Sequence, residues 1–198
     1  MVFEFIRQLT CNFSAIEKYI PEKGTILDVG CGHGILSDFL VEKSPAREVL
    51  GIDPSAKKIA LAKKKFRNSH NPTFRKAYLS EIKGKFTAVI LVDVLYLLPP
   101  REKLKMLKVA KKLLAKNGKL ILVINGKEPR WIFNILQIQE KIMTQFLKIT
   151  HTDYDKVYFE DTKEALTLIK KSGLIVERME NITSFLPYPH VLFVAKSR

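Results

Sequence analysis

Three glycines at alternate positions, Gly30, Gly32 and Gly34, follow a short apolar run in the stretch LDVGCGHGIL. A strand, a glycine-rich turn and a helix in that order can bind an anion or a nucleotide. The helix begins with backbone N–H groups that lack partners, and glycine lets a ligand approach the backbone. The dinucleotide fingerprint needs another glycine three positions after its second one, where this chain has Ile35. The turn therefore predicts a nucleotide-type ligand without the fingerprint for a pyrophosphate.

Two carboxylates accompany this turn. Asp28 lies in the apolar run, where its charge would repel a pyrophosphate and attract an ammonium or sulfonium group. Asp53 ends the next apolar run, where a carboxylate can accept hydrogen bonds from both hydroxyls of a ribose. Local capping remains an alternative for both, and Ser55 could cap the helix that follows Asp53. S-adenosylmethionine fits the two carboxylates, because it carries a ribose at one end and a sulfonium and an ammonium at the other.

Short apolar runs alternate with helical patterns along the chain. Apolar strands separated by amphipathic helices predict a parallel sheet that is covered on both faces. The predicted strands are 25–30, 47–53, 73–79, 86–94 and 119–125, and the predicted helices between them are 34–43, 55–68 and 100–116. Asn117 and Gly118 suit the end of the last helix, since both tolerate a left-handed backbone. A further helix over 159–173, capped by Asp161 or Thr162, precedes two strands at 174–182 and 190–196 that could pair antiparallel at one edge of the sheet.

Four motifs carry a resemblance to a known family: ILDVGCGHGILS, VLGIDPSAKKIALAKKK, FTAVILVDVLYLLPP and LLAKNGKLILVI. In order and spacing they resemble the class I S-adenosylmethionine-dependent methyltransferases, over about residues 24–125 and more weakly to the end. DVLYLLPP resembles the branch that methylates small molecules, lipids and quinones. The resemblance implies a Rossmann-like, doubly wound α/β fold. Its seven-stranded sheet would be mostly parallel, with the last strand antiparallel, and S-adenosylhomocysteine would be the product.

The resemblance also implies roles for individual residues. Asp28 and the backbone of Gly30, Cys31 and Gly32 would face the methionine part of the donor. The ribose and adenine would meet Asp53, Pro54, Tyr78 and Leu79. Asp93 would lie under the methionine end, and Tyr96 would line the acceptor pocket where many relatives carry a histidine. Many relatives carry an acid after the third strand to bond the adenine amino group. This chain has Tyr78 there, and Glu81 is the nearest acid.

The sequence is expected to form one domain over 1–198, with a helical insertion at about 127–158. Within it, 129–149 predicts a long helix with a broad apolar face that includes Trp131 and Phe146. Three interpretations remain open for it: an extra core helix, a lid over the acceptor pocket, or a surface that meets lipid or a partner subunit. Its polar residues argue against a membrane-spanning helix, and two cysteines without a signal peptide indicate a cytoplasmic protein.

The chain is strongly basic, with 34 lysines and arginines against 20 acids and a net charge of +14. Such a charge attracts RNA, lipid headgroups or acidic metabolites, although lysines on solvated helix faces at 57–65, 103–119 and 163–171 mainly favour solubility. We expect methyl transfer to a small, apolar or lipid-like acceptor. An RNA methyltransferase recruited by charge and a non-catalytic S-adenosylmethionine-binding module are the alternatives. The four histidines have no metal-ligand spacing, so no metal is expected.

Overall fold

The computed structural model describes residues 11–68, 71–126, 158–184 and 189–197, together with residues 131, 134 and 138. Seven strands form one sheet: β1 (Gly24–Val29), β2 (Arg47–Asp53), β3 (Thr73–Lys76), β4 (Phe86–Val92), β5 (Leu114–Asn125), β6 (Leu174–Ile182) and β7 (His190–Ser197). Their order across the sheet is β3-β2-β1-β4-β5-β7-β6. The first five strands are parallel to one another, whereas β7 runs antiparallel to both β5 and β6. The expected Rossmann-like architecture, with its antiparallel last strand, is confirmed.

Five α-helices are described: α1 (Phe13–Glu17), α2 (Ile35–Lys43), α3 (Ala56–Lys65), α4 (Pro100–Leu113) and α5 (Thr162–Lys171). Local chemistry explains most of their ends. Ser55 caps α3 by accepting from the Lys58 N–H, and Asp161 caps α5 by accepting from the Glu164 N–H. Pro100 is the first residue of α4, a position where the missing N–H costs nothing. Gly173 follows α5 with φ 82°, as a glycine at a helix end commonly does.

Buried side chains alternate between the two faces of the central strands. In β4, Val89 and Leu91 pack on one face with α4 and α5, whereas Ala88 and Ile90 pack on the other with α1 and α2. A strand that is apolar on both faces needs helices on both sides of the sheet. This double cover aligns the carboxyl ends of β1, β2, β4 and β5 along one edge.

Several predicted elements end earlier in the structure than the sequence pattern suggested. The helix predicted over 100–116 ends at Leu113, because Asn117 takes a left-handed φ of 62° within a bulge between β4 and β5. The helix predicted over 55–68 ends at Lys65. The strand predicted over 73–79 stops at Lys76, because the backbone N–H of Tyr78 bonds the Glu81 carboxylate and a 3₁₀ turn, Leu79–Glu81, follows. The short helix α1 was not predicted.

Most of the predicted insertion and its helix over 129–149 lie outside the described residues. Within that range, Trp131 and Ile138 are helical, and their side chains are 64% and 62% exposed. In the part of the chain that the structure describes, no helix has the length and apolar character needed to cross a membrane.

Candidate functional site

The glycine turn follows β1 and contains three left-handed residues, with φ of 72° at Gly30, 56° at Gly32 and 79° at Gly34. An added Cβ would lie 2.6 Å from a Val94 methyl at Gly30 and 2.4 Å from the Phe74 ring at Gly34. At Gly32 the same Cβ would meet nothing within 4 Å. The outer glycines are therefore required by close packing inside the protein, whereas Gly32 faces open space. An open, left-handed glycine at the start of α2 is suited to close approach by a ligand.

Asp53 joins the ends of two neighbouring strands. It is buried at the carboxyl end of β2, where one carboxylate oxygen accepts from the Gly32 N–H at 3.2 Å. The other oxygen accepts from the Ser55 N–H at 2.8 Å. The carboxylate is thus held beside the open glycine by backbone donors from two loops. Ser55 caps α3, so the capping and binding interpretations of this corner are compatible.

Asp28 lies within β1 and is 2% exposed. Its carboxylate accepts a hydrogen bond of 2.7 Å from the Ser37 hydroxyl on α2. This contact ties the strand before the glycine turn to the helix after it. The sequence argument considered capping of the turn by Asp28 but did not identify Ser37.

Cys31 packs at the base of the turn, against the small apolar cluster of Ile59, Ala62 and Phe74. Burial raises the pKa of its thiol far above the ordinary value, and the negative charges of Asp28 and Asp53 raise it further. Its N–H donates to the Ile52 carbonyl at 3.0 Å. Cys31 is therefore a protonated packing residue and lacks the thiolate that nucleophilic cysteine chemistry requires.

The residues after β3 lie next to Asp53, because the Ala77 N–H donates to the Asp53 carbonyl at 3.2 Å. Tyr78 is half exposed, and Pro54 is partly buried beside them. Leu79 belongs to the buried core. Glu81 accepts from the Tyr78 N–H at 2.6 Å, so its carboxylate already closes the local turn.

Asp93 follows β4 and adopts a left-handed φ of 54°, which aspartate tolerates better than most residues. Its carboxylate accepts from the Asn125 amide at 3.0 Å and lies 3.2 Å from Nε2 of His190. The side chains of His190 and Asp93 are 1% and 7% exposed. Three strands, β4, β5 and β7, thus bring a carboxylate, an amide and an imidazole together at the edge that carries the glycine turn.

Tyr96 lies in the 3₁₀ turn Leu95–Leu97 and is mostly buried. Its ring stacks on Phe159 with centroids 5.0 Å apart and planes 5° apart, and its carbonyl accepts from the Tyr158 N–H at 2.7 Å. Lys103 on α4 forms a buried ion pair with Glu160 and also donates to the Tyr158 carbonyl. Burial raises the pKa of the Glu160 carboxyl, while the charge of Lys103 opposes this rise. Residues 158–160 are therefore bound firmly against the start of α4.

Residues 26–118 match the family model described as a methyltransferase domain. Over these residues the chain is similar to methyltransferase domains. The matched residues begin in β1 and end in β5, so they include the glycine turn, Asp53 and Asp93.

Three relatives illustrate the likeness. YqeM of Bacillus subtilis is 40% identical over 79 residues, which are 38% of this chain and 31% of YqeM. Two solved structures share the fold. The pyocyanin biosynthetic protein PhzM has a TM-score of 0.76 and 16% identity, covering 97% of this chain and 55% of PhzM. ChlM of Synechocystis PCC 6803, a magnesium protoporphyrin IX methyltransferase with bound S-adenosylhomocysteine, has a TM-score of 0.70 and 22% identity, covering 98% of this chain and 84% of ChlM. The aligned part of this chain thus spans about a third of YqeM and about half of PhzM.

The parallel strands β1, β2 and β4 bring Asp28, Gly32, Asp53 and Asp93 to one edge of the sheet. Sequence reasoning missed Ser37 and Asn125, the partners of Asp28 and Asp93, and it missed Phe159, which stacks on Tyr96. From sequence alone, His190 could face the pocket but could not be placed. The detectable signal for His190 was its position at the start of an antiparallel strand, opposite the end of β5.

Proposed function

We propose that this protein is an enzyme that transfers a methyl group from S-adenosylmethionine to a small, apolar organic acceptor. The observation that carries the proposal is the coupling of an open glycine turn to a buried carboxylate, through the 3.2 Å hydrogen bond from Gly32 to Asp53. When bound, S-adenosylmethionine supplies a methyl group that its sulfonium already activates.

The residues present fit this donor. Asp53 would accept hydrogen bonds from the ribose hydroxyls, since its backbone donors already hold it at the strand end. The open backbone of Gly32 would border the ligand, and the half-exposed Tyr78 would flank the adenine together with Pro54. The negative charges of Asp28 and Asp93 would favour the positively charged methionine end over a pyrophosphate.

The acceptor side of the proposal is supported by its aromatic residues. Tyr96 follows β4, three residues after Asp93, and its ring stacks on Phe159, which is next to the buried Lys103–Glu160 pair. Such rings suit a planar or apolar acceptor, and ChlM, which shares the fold, is a magnesium protoporphyrin IX methyltransferase. A donor that is already activated leaves alignment and exclusion of water as the main tasks of the protein.

Calorimetric titration tests the donor assignment directly. We expect S-adenosylmethionine and S-adenosylhomocysteine to bind more tightly than NAD, because the pyrophosphate fingerprint is missing and two carboxylates lie near the turn. Tighter binding of NAD would overturn the assignment. The acceptor is then tested by transfer of a radioactive methyl group to a panel of phenols, quinols and porphyrins, with total RNA as the competing substrate class.

Asp53→Asn and Asp53→Ala should weaken S-adenosylhomocysteine binding at least tenfold, since hydrogen bonds to a charged group contribute about 1.5–3 kcal/mol each. Glu48→Ala is the matched control, because it removes an exposed carboxylate from the same strand. Dissociation constants are measured by calorimetry and folding by thermal melting. An unchanged dissociation constant in folded Asp53 variants would remove the ribose role.

A further inference from the structure

Among the contacts described for the proposed donor site, only the Asp93 carboxylate is held by side chains from two other strands. The Asn125 amide at the end of β5 donates to it at 3.0 Å, and His190 Nε2 at the start of β7 lies at 3.2 Å. An ionised Asp93 can only accept at this contact, and Nε2 is then the donor. The imidazole would hold the carboxylate through this hydrogen bond.

This cluster borders the glycine turn. Val94 directly follows Asp93, and one of its methyl groups occupies the space beside Gly30, where an added Cβ would lie 2.6 Å away. The Asp93 N–H donates to the Val123 carbonyl at 3.1 Å, which fixes the backbone of the turn to β5. This two-residue segment thus contacts the glycine turn through Val94, and β5 and β7 through the Asp93 carboxylate.

The register of the sheet explains why His190 reaches this place. Asn125 and His190 are direct partners in the antiparallel pairing of β5 and β7, so their side chains leave the same pair of backbones. The Gly126 N–H continues this pairing by bonding the Pro189 carbonyl. Both donors are consequently anchored by a strand ladder, which limits how far they can move away from Asp93.

We propose that His190 is a positioning residue of the donor site, which together with Asn125 holds the Asp93 carboxylate toward the positively charged methionine end of S-adenosylmethionine. The inference rests on the proposed function. His190 itself is almost fully buried, so it acts through Asp93 and does not touch the ligand. A carboxylate fixed in a site with little water attracts a cation more strongly than one that must first reorganise.

Binding of three ligands with different charges distinguishes this positioning role from a purely structural role of the cluster. S-adenosylmethionine carries a sulfonium and an ammonium, S-adenosylhomocysteine carries only the ammonium, and 5′-methylthioadenosine carries neither charge. If Asp93 recognises positive charge, its loss weakens the first most, the second less and the third not at all. If the cluster only stabilises the edge of the sheet, binding of all three ligands falls alike.

Asp93→Asn keeps the shape and the tolerance for a left-handed backbone while removing the charge. We expect it to weaken S-adenosylmethionine binding at least tenfold, S-adenosylhomocysteine less, and 5′-methylthioadenosine not measurably. His190→Phe, which fills the space without donating, should give the same order of losses with about a threefold loss for S-adenosylmethionine. His190→Gln retains an amide donor and should restore most of the wild-type affinity.

Dissociation constants come from calorimetry, and thermal melting shows that each variant folds. Equal losses for the three ligands, or wild-type affinity in both folded His190→Phe and His190→Gln, would overturn the inference while leaving the proposed function intact. Failure of the wild-type protein to bind S-adenosylhomocysteine would overturn both. If His190→Phe does not fold, Asn125→Leu decides the question. It removes the other donor to Asp93 without adding a charge, so it should give the same order of losses for the three ligands.

Discussion

An added methyl group at Gly32 would contact no other atom of the protein within 4 Å, whereas at Gly30 or Gly34 it would overlap a neighbouring side chain. Gly32→Ala should leave the fold nearly intact, with only the strain of about 1–2 kcal/mol that a left-handed alanine carries. The same methyl would point toward the space assigned to the ligand, so we expect S-adenosylhomocysteine binding to fall at least tenfold. Calorimetry and thermal melting measure the two effects separately.

Gly84→Ala provides the matched control for that experiment. Gly84 also has a positive φ, 105°, and an added Cβ there would likewise meet nothing within 4 Å, but it lies in the loop before β4. We expect a similar small loss of stability with unchanged binding. Gly30→Ala and Gly34→Ala should instead unfold the domain, since their methyl groups would overlap Val94 and Phe74. Retained binding in Gly32→Ala would show that the ligand does not approach this backbone.

Single residues of the site were predictable where a residue type and a strand end coincide. Asp53 could be placed from sequence because it is the last residue of an apolar run, and parallel strands end at a common edge. The contacts of Asp28 and Asp93 could not, because Ser37 and His190 reach them from elements 9 and 97 positions away. Such partners depend on helix orientation and strand register, which residue spacing alone does not determine.

At the scale of elements, a buried ion pair joins α4 to the residues just before α5. Glu160→Leu should destabilise the domain by about 3–5 kcal/mol, because it leaves the Lys103 ammonium buried without its carboxylate. The double variant Lys103→Met with Glu160→Leu should recover most of this loss, since well-packed apolar side chains can replace a buried pair. Urea unfolding of the two variants measures both values.

The Lys105–Glu102 pair on the same helix serves as the control for the buried pair. Its Lys105 side chain is 70% exposed, so Glu102→Leu should cost less than about 1 kcal/mol. A similar cost for Glu160→Leu would contradict the role given to the buried pair. The buried Lys103–Glu160 pair also corrects one detail of the sequence analysis. Lys103 belongs to the range 103–119 that was interpreted as a solvated lysine face, but its side chain is buried.

The types of the central elements were predictable because strands such as β1 and β4 are apolar on both faces, whereas the helices between them alternate apolar and polar residues at helical spacing. The ends of the elements were harder to predict, since they depend on single backbone contacts. The 3₁₀ turn after β3 follows from one hydrogen bond between Tyr78 and Glu81, and the early end of α4 follows from the bulge at Asn117. The short helix α1 has one turn of apolar pattern, which is too little for periodicity to identify.

At the scale of the whole molecule, a net charge of +14 produces repulsion among the lysines of the surface. Raising the ionic strength from about 0.01 M to about 0.15 M shortens the Debye length from about 30 Å to about 8 Å. We therefore expect sodium chloride over this range to raise the melting temperature. A variant with Lys105, Lys108 and Lys112 changed to glutamine should respond less. A falling melting temperature would show that ion pairs outweigh the repulsion.

The place of β7 in the sheet also sets an order of events during synthesis. This strand lies between β5 and β6, although it is the last of the seven to leave the ribosome. Until it emerges, β5 has an unpaired edge and β6 has no neighbour to join. The glycine turn and Asp53 can already be assembled in such a nascent chain, but His190 cannot yet meet Asp93. A partly made chain therefore exposes an open sheet edge that invites association with other chains, and β7 both closes that edge and brings His190 to Asp93.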